Sequence, residues 1–194
     1  MVERRTVLVD MDGVLADFDE GVETELIRRK PSIIIPDPSL HFYIEQRFDD
    51  PEDQALVRKI QSEQGFFESL TLMDGAIDGW QRIIEGGHSP RICSAPLRSN
   101  IWCTAEKLAW LDANFGPHVA DAAIIDKEKW RHDGVALIDD RPEIDESRAT
   151  WRHIMFTRPA NLSAPAEYRI NGWHDPTLLT TLALCAERYD RLHG

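Results

Sequence analysis

Two aspartates separated by one residue, Asp10 and Asp12, are followed at once by Gly13. In extended backbone, positions i and i+2 point to the same side, so the two carboxylates can face a common point. Held that close, they repel unless a cation, a shared proton or hydrogen bonds compensate. The pair suits a metal site, or a nucleophile beside a general acid. Gly13 lets the backbone turn sharply and leaves room for a ligand. Asp-x-Asp-Gly is also a common turn sequence, so the other elements must decide.

The β-branched and aliphatic run Thr6 to Val9 reads as a buried strand that delivers the acids at its end. A helical pattern follows from about Phe18 to Arg29 and stops before Pro31. The segment from Ile33 to Pro38 is extended and broken by prolines, and His41-Phe42-Tyr43 is aromatic enough to line a pocket. Asp50 caps a helix with Pro51 at its first position, running to about Ser62, and Gly65-Phe66-Phe67 forms a loop.

Next come a helix over Ala76 to Glu85, a strand over Arg91 to Ser94 and a long helix over Asn100 to Phe115. Strands over Ala122 to Ile125, Gly134 to Ile138 and Trp151 to Phe156 follow, and Asp175-Pro176 caps a last helix to about Leu192. This alternation predicts βαβ units and a doubly wound parallel sheet, in which ligands bind outside the carboxyl ends of the strands. The polar groups at those ends are Asp10 and Asp12, then Ser94, then Lys127 and Lys129, then Asp139 and Asp140.

About eighty residues separate Asp10 from Arg91, whereas a crossover needs about a dozen. The surplus predicts a small helical cap, residues 18–71, inserted after the first strand of a core made of residues 1–17 and 72–194. Such a cap can cover a substrate and exclude water.

At 194 residues and 42% hydrophobic content, the chain fits one domain with a small attached subdomain. A net charge of -12 argues against unspecific binding to nucleic acid polymers or to an anionic membrane. An anionic substrate would need local cations or a metal to offset it. No apolar stretch of about 18 residues and no secretory signal are present, which points to a cytoplasmic protein. Cys93, Cys103 and Cys185 show no metal-like spacing and read as reduced thiols.

A magnesium-type cation prefers hard oxygen ligands. Asp10 and Asp139 offer carboxylates, with the backbone carbonyl of Asp12 and a substrate phosphate oxygen filling further positions. Ser94 can donate a hydrogen bond to a phosphoryl oxygen, and Lys129 can neutralise both a nucleophilic carboxylate and the transferring group. A carboxylate can attack phosphorus directly, giving an acyl phosphate that water hydrolyses. Asp10 is then the nucleophile, while Asp12 protonates the leaving alcohol and later activates the water.

Asp10-Met-Asp12-Gly-Val, the Ser94 strand end, the downstream lysine and Asp139-Asp140 resemble the four motifs of the haloacid dehalogenase (HAD) phosphatases. The resemblance is closer to the 5'(3')-deoxyribonucleotidases. It rests on Val9 to Phe18, Gly65-Phe-Phe67, Ile92-Cys-Ser-Ala-Pro-Leu97, Leu137-Ile-Asp-Asp-Arg-Pro142 and Trp151 to Thr157, in that order. It implies a HAD-like, Rossmann-like α/β fold and a magnesium-dependent phosphomonoesterase for (deoxy)ribonucleoside monophosphates.

On matching positions, the resemblance makes Asp10 the nucleophile and Asp12 the acid and base. Magnesium is held by Asp10, the Asp12 carbonyl and Asp139, with Asp140 supporting the lysine and the metal shell. Phosphate is held by Ser94 and Lys129, with Ala95, Arg98 and Lys127 as further contacts. Spacing from Asp139 favours Lys129 over Lys127 as the catalytic lysine. Phe18, Phe42, Tyr43 and Phe67 correspond to the nucleoside pocket, where rings stack on a base.

Three positions depart from the family. Ser94 replaces threonine, Ala95 replaces the serine of the animal enzymes, and Gln61 falls where a pocket tryptophan is usual. The last leaves base preference open. A phosphatase for another small phosphoester, or a non-catalytic nucleotide-binding protein on the same fold, are the alternatives. A homodimer is left open as an assembly state.

Overall fold

A computed structural model describes residues 4–193. Six strands, all parallel, form one sheet in the order β3-β2-β1-β4-β5-β6. They are β1 (Arg5–Val9), β2 (His88–Ser94), β3 (Ile124–Ile125), β4 (Ala136–Asp139), β5 (Arg152–Phe156) and β6 (Tyr168–Ile170). From β1 the chain winds one way through β2 and β3, then returns to β4 on the other side of β1. The carboxyl ends of β1 and β4 therefore flank the point where strand order reverses, where α/β sheets hold ligands. Val7, Leu8 and Val9 are all fully buried, as a central parallel strand covered on both faces requires.

The helices are α1 (Phe18–Arg29), α2 (Pro51–Ser62), α3 (Ala76–Glu85), α4 (Cys103–Phe115), α5 (Pro117–Ala122) and α6 (Leu178–His193). Asp17 caps α1 by accepting from the Glu20 amide, and Asp50 caps α2 by accepting from the Glu52 amide. Between β1 and α3 the chain forms α1, a 3-10 turn at Ile44–Arg47 and α2, and adds no strand to the sheet. Val22, Leu26, Val57, Ile60 and Phe67 of this stretch share one buried cluster with Val7, Ile92 and Ile138 of the sheet.

Three elements differ from the expected pattern. The long helix begins at Cys103 rather than Asn100, because the Asn100 side chain accepts from the Trp102 amide and holds a turn. The expected strand from Ala122 shrinks to Ile124–Ile125, because Pro117 starts α5 as soon as Gly116 has ended α4. β6, only three residues long, is too short to show alternation. Among the described residues, no helix is long and apolar enough to cross a membrane.

Candidate active site

Asp10 leaves β1 with its backbone still in the ladder, its amide donating to the Ile138 carbonyl at 2.9 Å. The chain then turns tightly. The Met11 carbonyl accepts from the amides of Leu15 at 2.8 Å and Ala16 at 2.9 Å. Gly13 has φ 73°, and a Cβ there would stand 2.1 Å from Asp140 Oδ2. Glycine is thus needed twice over, for its backbone angle and for the approach of Asp140.

At the end of β4, Asp139 is held by the Arg141 amide at 2.9 Å. One carboxylate oxygen each from Asp10, Asp139 and Asp140 lies within 4.8 Å of the others. Asp140, expected behind the metal shell, stands forward with the other two. The fully buried Asn161 holds its carbonyl at 2.7 Å.

Lys129 opens a 3-10 turn, Lys129–Arg131, and Trp151 fixes that turn by donating to the Lys129 carbonyl at 3.2 Å. The Lys129 ammonium lies 2.9 Å from Asp10 Oδ1 and 2.6 Å from Asp139 Oδ2. Lys107 of α4 donates to Asp12 Oδ2 at 2.7 Å, Ser94 Oγ at 2.9 Å and the Ala95 carbonyl at 2.9 Å.

Burial works against the charged forms here. Burial, together with Asp139 and Asp12, raises the Asp10 carboxyl against the pull of Lys129 and Lys107. Burial, then Asp139 and Asp10, raises Asp140 well above the ordinary value. Burial would also raise Asp139, but Lys129 beside it and the Arg141 amide bring it below the ordinary range. For Lys129 burial favours the neutral form, yet Asp10 and Asp139 overcome it and the ammonium is strengthened.

Four carboxylates face two ammonium groups, an excess of two negative charges when all are ionised. A divalent cation would supply that missing charge, and three converging carboxylate oxygens are the hard donors magnesium prefers. The donor set fits the ion.

Above the acids opens a cavity of about 280 Å³. Asp10, Asp12, Asp139, Asp140, Ser94 and Ala95 line one part of it, and Phe18, Phe42, Tyr43 and Phe67 line another. Phe18 packs on Phe67 at 6.0 Å between centroids, and Phe42 on Tyr43 at 5.3 Å edge to face. Gln61 lines the cavity too. Lys129 reaches the site through Asp10 and Asp139 and is not itself a lining residue, whereas Arg98 and Lys127 are exposed and lie outside the lining.

The basic lining comes from Arg47, Arg141 and Arg158; Arg141 belongs to the Leu137–Pro142 segment, while Arg47 and Arg158 lie outside the quoted segments. Arg158 pairs with Asp17 at 3.0 Å, and Arg47 pairs with Asp19 at 2.8 Å while its Nε holds the His41 carbonyl at 2.8 Å. Lys107 did leave a trace in the sequence. It shares the buried stripe of α4 with Cys103, Glu106, Trp110 and Leu111, and a charge on such a stripe needs a partner. Glu106, its neighbour, accepts from the Gly65 amide at 2.5 Å and the Phe67 amide at 3.1 Å. Asn100 donates to the carbonyls of Gln61 at 3.0 Å and Glu63 at 3.1 Å.

Known proteins resemble this chain in sequence and in fold. A family model described as 5' nucleotidase, deoxy (pyrimidine), cytosolic type C matches residues 4–186. A Bordetella pertussis protein provisionally named a 5'(3')-deoxyribonucleotidase is 34% identical over 158 residues, 80% of this chain and 84% of that protein. The human cytosolic 5'(3')-deoxyribonucleotidase is 31% identical over 185 residues, 87% of this chain and 89% of the relative. The mouse mitochondrial one is 30% identical over 179 residues, covering 87% and 81% respectively.

Among solved structures, a HAD family hydrolase of Deinococcus radiodurans with bound phosphate and sodium superposes with TM-score 0.56 at 14% identity, over 94% of this chain and 96% of that one. A HAD hydrolase of Bacillus subtilis bound to magnesium gives TM-score 0.52 at 14% identity, over 88% and 96%. These two likenesses establish the fold.

Proposed function

The chain belongs to the 5'(3')-deoxyribonucleotidase family of phosphomonoester hydrolases, on the HAD fold, and from that premise we propose that it removes phosphate from (deoxy)ribonucleoside monophosphates through a covalent aspartyl phosphate on Asp10, with magnesium as cofactor. One observation carries the reading. Asp10 lines the floor of a cavity with Phe18, Phe42, Tyr43 and Phe67 among its walls, and Lys129 lies 2.9 Å from its carboxylate.

In this scheme an Asp10 oxygen attacks phosphorus, and the bond between phosphorus and the nucleoside oxygen breaks. Asp12 delivers a proton to the departing alcohol. It then takes one from a water that attacks the aspartyl phosphate, releasing inorganic phosphate and restoring Asp10. Lys129 holds the Asp10 carboxylate ionised and offsets charge on the transferring group, while Ser94 donates its hydroxyl to a phosphoryl oxygen. Asp10, Asp139, the Asp12 carbonyl and the adjacent Asp140 would hold magnesium, which would supply charge neutralisation for the phosphoryl oxygens. The aromatic rings take the base by stacking. Gln61, in place of a ring, adds a polar group to that wall.

A substrate panel tests the proposal: phosphate release with magnesium from dUMP, dTMP, their ribose counterparts and sugar phosphates. Nucleotides are expected to be turned over best. Equal or faster hydrolysis of sugar phosphates would replace the nucleotide assignment with a phosphatase for another small ester.

A further inference from the structure

Lys107 has no solvent-exposed surface, and burying an ammonium is costly unless its hydrogen bonds are matched. It has three donors and no acceptor, and three partners meet it. Two are Ser94 Oγ and the Ala95 carbonyl, each at 2.9 Å, so consecutive residues at the end of β2 fix the nitrogen in place. The third is Asp12 Oδ2 at 2.7 Å. The Phe67 ring, 5.2 Å from the ammonium, closes over it. Among the described residues, the other Asp12 oxygen, Oδ1, is buried without a hydrogen-bond partner. Lys107 is therefore what ties this carboxylate to the sheet.

We infer that Lys107 is a positioning residue for Asp12. It transmits the rigid end of β2 to a side chain that otherwise stands on a turn, and so sets where Asp12 stands relative to Asp10. Lys107 does not line the cavity, and its ion pair is with Asp12. This inference rests on the reading of Asp12 as the proton-transferring group.

The test is a double-variant cycle with Lys107→Met, Asp12→Asn and their combination, assayed for phosphate release from dUMP with magnesium. Lys107→Met is expected to lower kcat about 100-fold, at the low end of what a general acid or base contributes, with KM within about threefold. In the Asp12→Asn background the same change is expected to cost less than about threefold, because nothing remains to position. A lysine that merely pins β2 to the turn would instead give independent losses in the two backgrounds.

Lys107→Met also leaves Asp12 uncompensated. Where that prevents folding, comparing Asp12→Asn with the double variant, in which both charges are gone, carries the test. A further loss above about threefold in the double variant overturns the inference, as does a Lys107→Met enzyme within about threefold of the unaltered one. Full activity in Asp12→Asn would overturn the reading of Asp12 itself, a result the cycle keeps distinct.

Discussion

The ammonium of Lys129 lies 2.9 Å from Asp10 Oδ1, where it favours the ionised form of a carboxylate that burial pushes toward the neutral one. Lys129→Met removes that support and leaves Asp10 and Asp139 facing each other. Steady-state kinetics should show kcat lower by about 10²–10³-fold. Denaturant unfolding should show a loss of about 3–5 kcal/mol, the usual effect of leaving a buried charge unpaired. A kcat within about fivefold of the unaltered chain would remove Lys129 from the chemistry.

Asp10→Asn keeps the shape of the side chain but not its nucleophilic oxygen. Turnover of dUMP should fall by at least about 10³-fold. The circular dichroism spectrum should be unchanged, because the hydrogen bond that the Asp10 amide donates to the Ile138 carbonyl belongs to the backbone. Near-normal turnover would refute a covalent step on this residue.

Asp140 gives a pH-dependent signature. Its carboxyl is raised well above the ordinary 3.8 by burial, then by Asp139 and Asp10, so the folded chain keeps a proton that the unfolded chain has released. Its contribution to stability is present in full below the unfolded value and is lost as pH rises toward the folded one. In chelator-treated protein, Asp140→Asn should therefore raise Tm near neutral pH by about 3 °C or more, since each kcal/mol moves Tm by about 2–4 °C in a chain of this size. The gain should shrink to nothing near pH 4, and calorimetry across that range reads both. A gain that persists at the acid end would assign the effect to packing.

Phe42 is half-buried and packs edge to face against the exposed Tyr43, so its loss should trouble the substrate more than the fold. Phe42→Ala should raise KM for dTMP about 5- to 150-fold, the range expected from one stacked base. KM for glycerol phosphate, which has no ring, should stay within about twofold. Equal changes on both substrates would mean that Phe42 shapes the cavity without touching a base.

Elements whose signals are local were readable from the sequence. Phe18–Arg29 and Pro51–Ser62 carry their own caps, and the buried run ending at Val9 marks a covered strand. The six residues of α5 and the three of β6 carry too little pattern to register against their neighbours. The site divides in the same way. Asp10, Asp12, Ser94, Lys129, Asp139 and Asp140 sit just beyond strand ends, where position alone suggests a role. Lys107 lies inside α4, and Arg158, although it follows β5 by two residues, is like Lys107 in having a distant carboxylate partner, 141 residues away for Arg158 and 95 for Lys107. Only the folded chain brings such pairs together. Lys127 and Arg98, beside the motifs in sequence, point to solvent because the turn at Lys129–Arg131 and the loop before α4 carry them outward.

Asn100, in the turn before α4, and Glu106, on α4, grip the backbone of residues 61 to 67, so the mouth of the cavity has one fixed jaw. The opposite jaw, residues 32–43, has little regular hydrogen bonding and is tied back through the Arg47 bond to His41. Entry and exit of a nucleotide should then be asymmetric, with the proline-rich side swinging while the Phe67 side stays still. Amide hydrogen exchange should be fast over residues 33–43 and slow at Gly65 and Phe67, and a bound nucleotide should slow the first set alone. Product release should then slow when the side of the mouth that bears Phe42 and Tyr43 is stiffened.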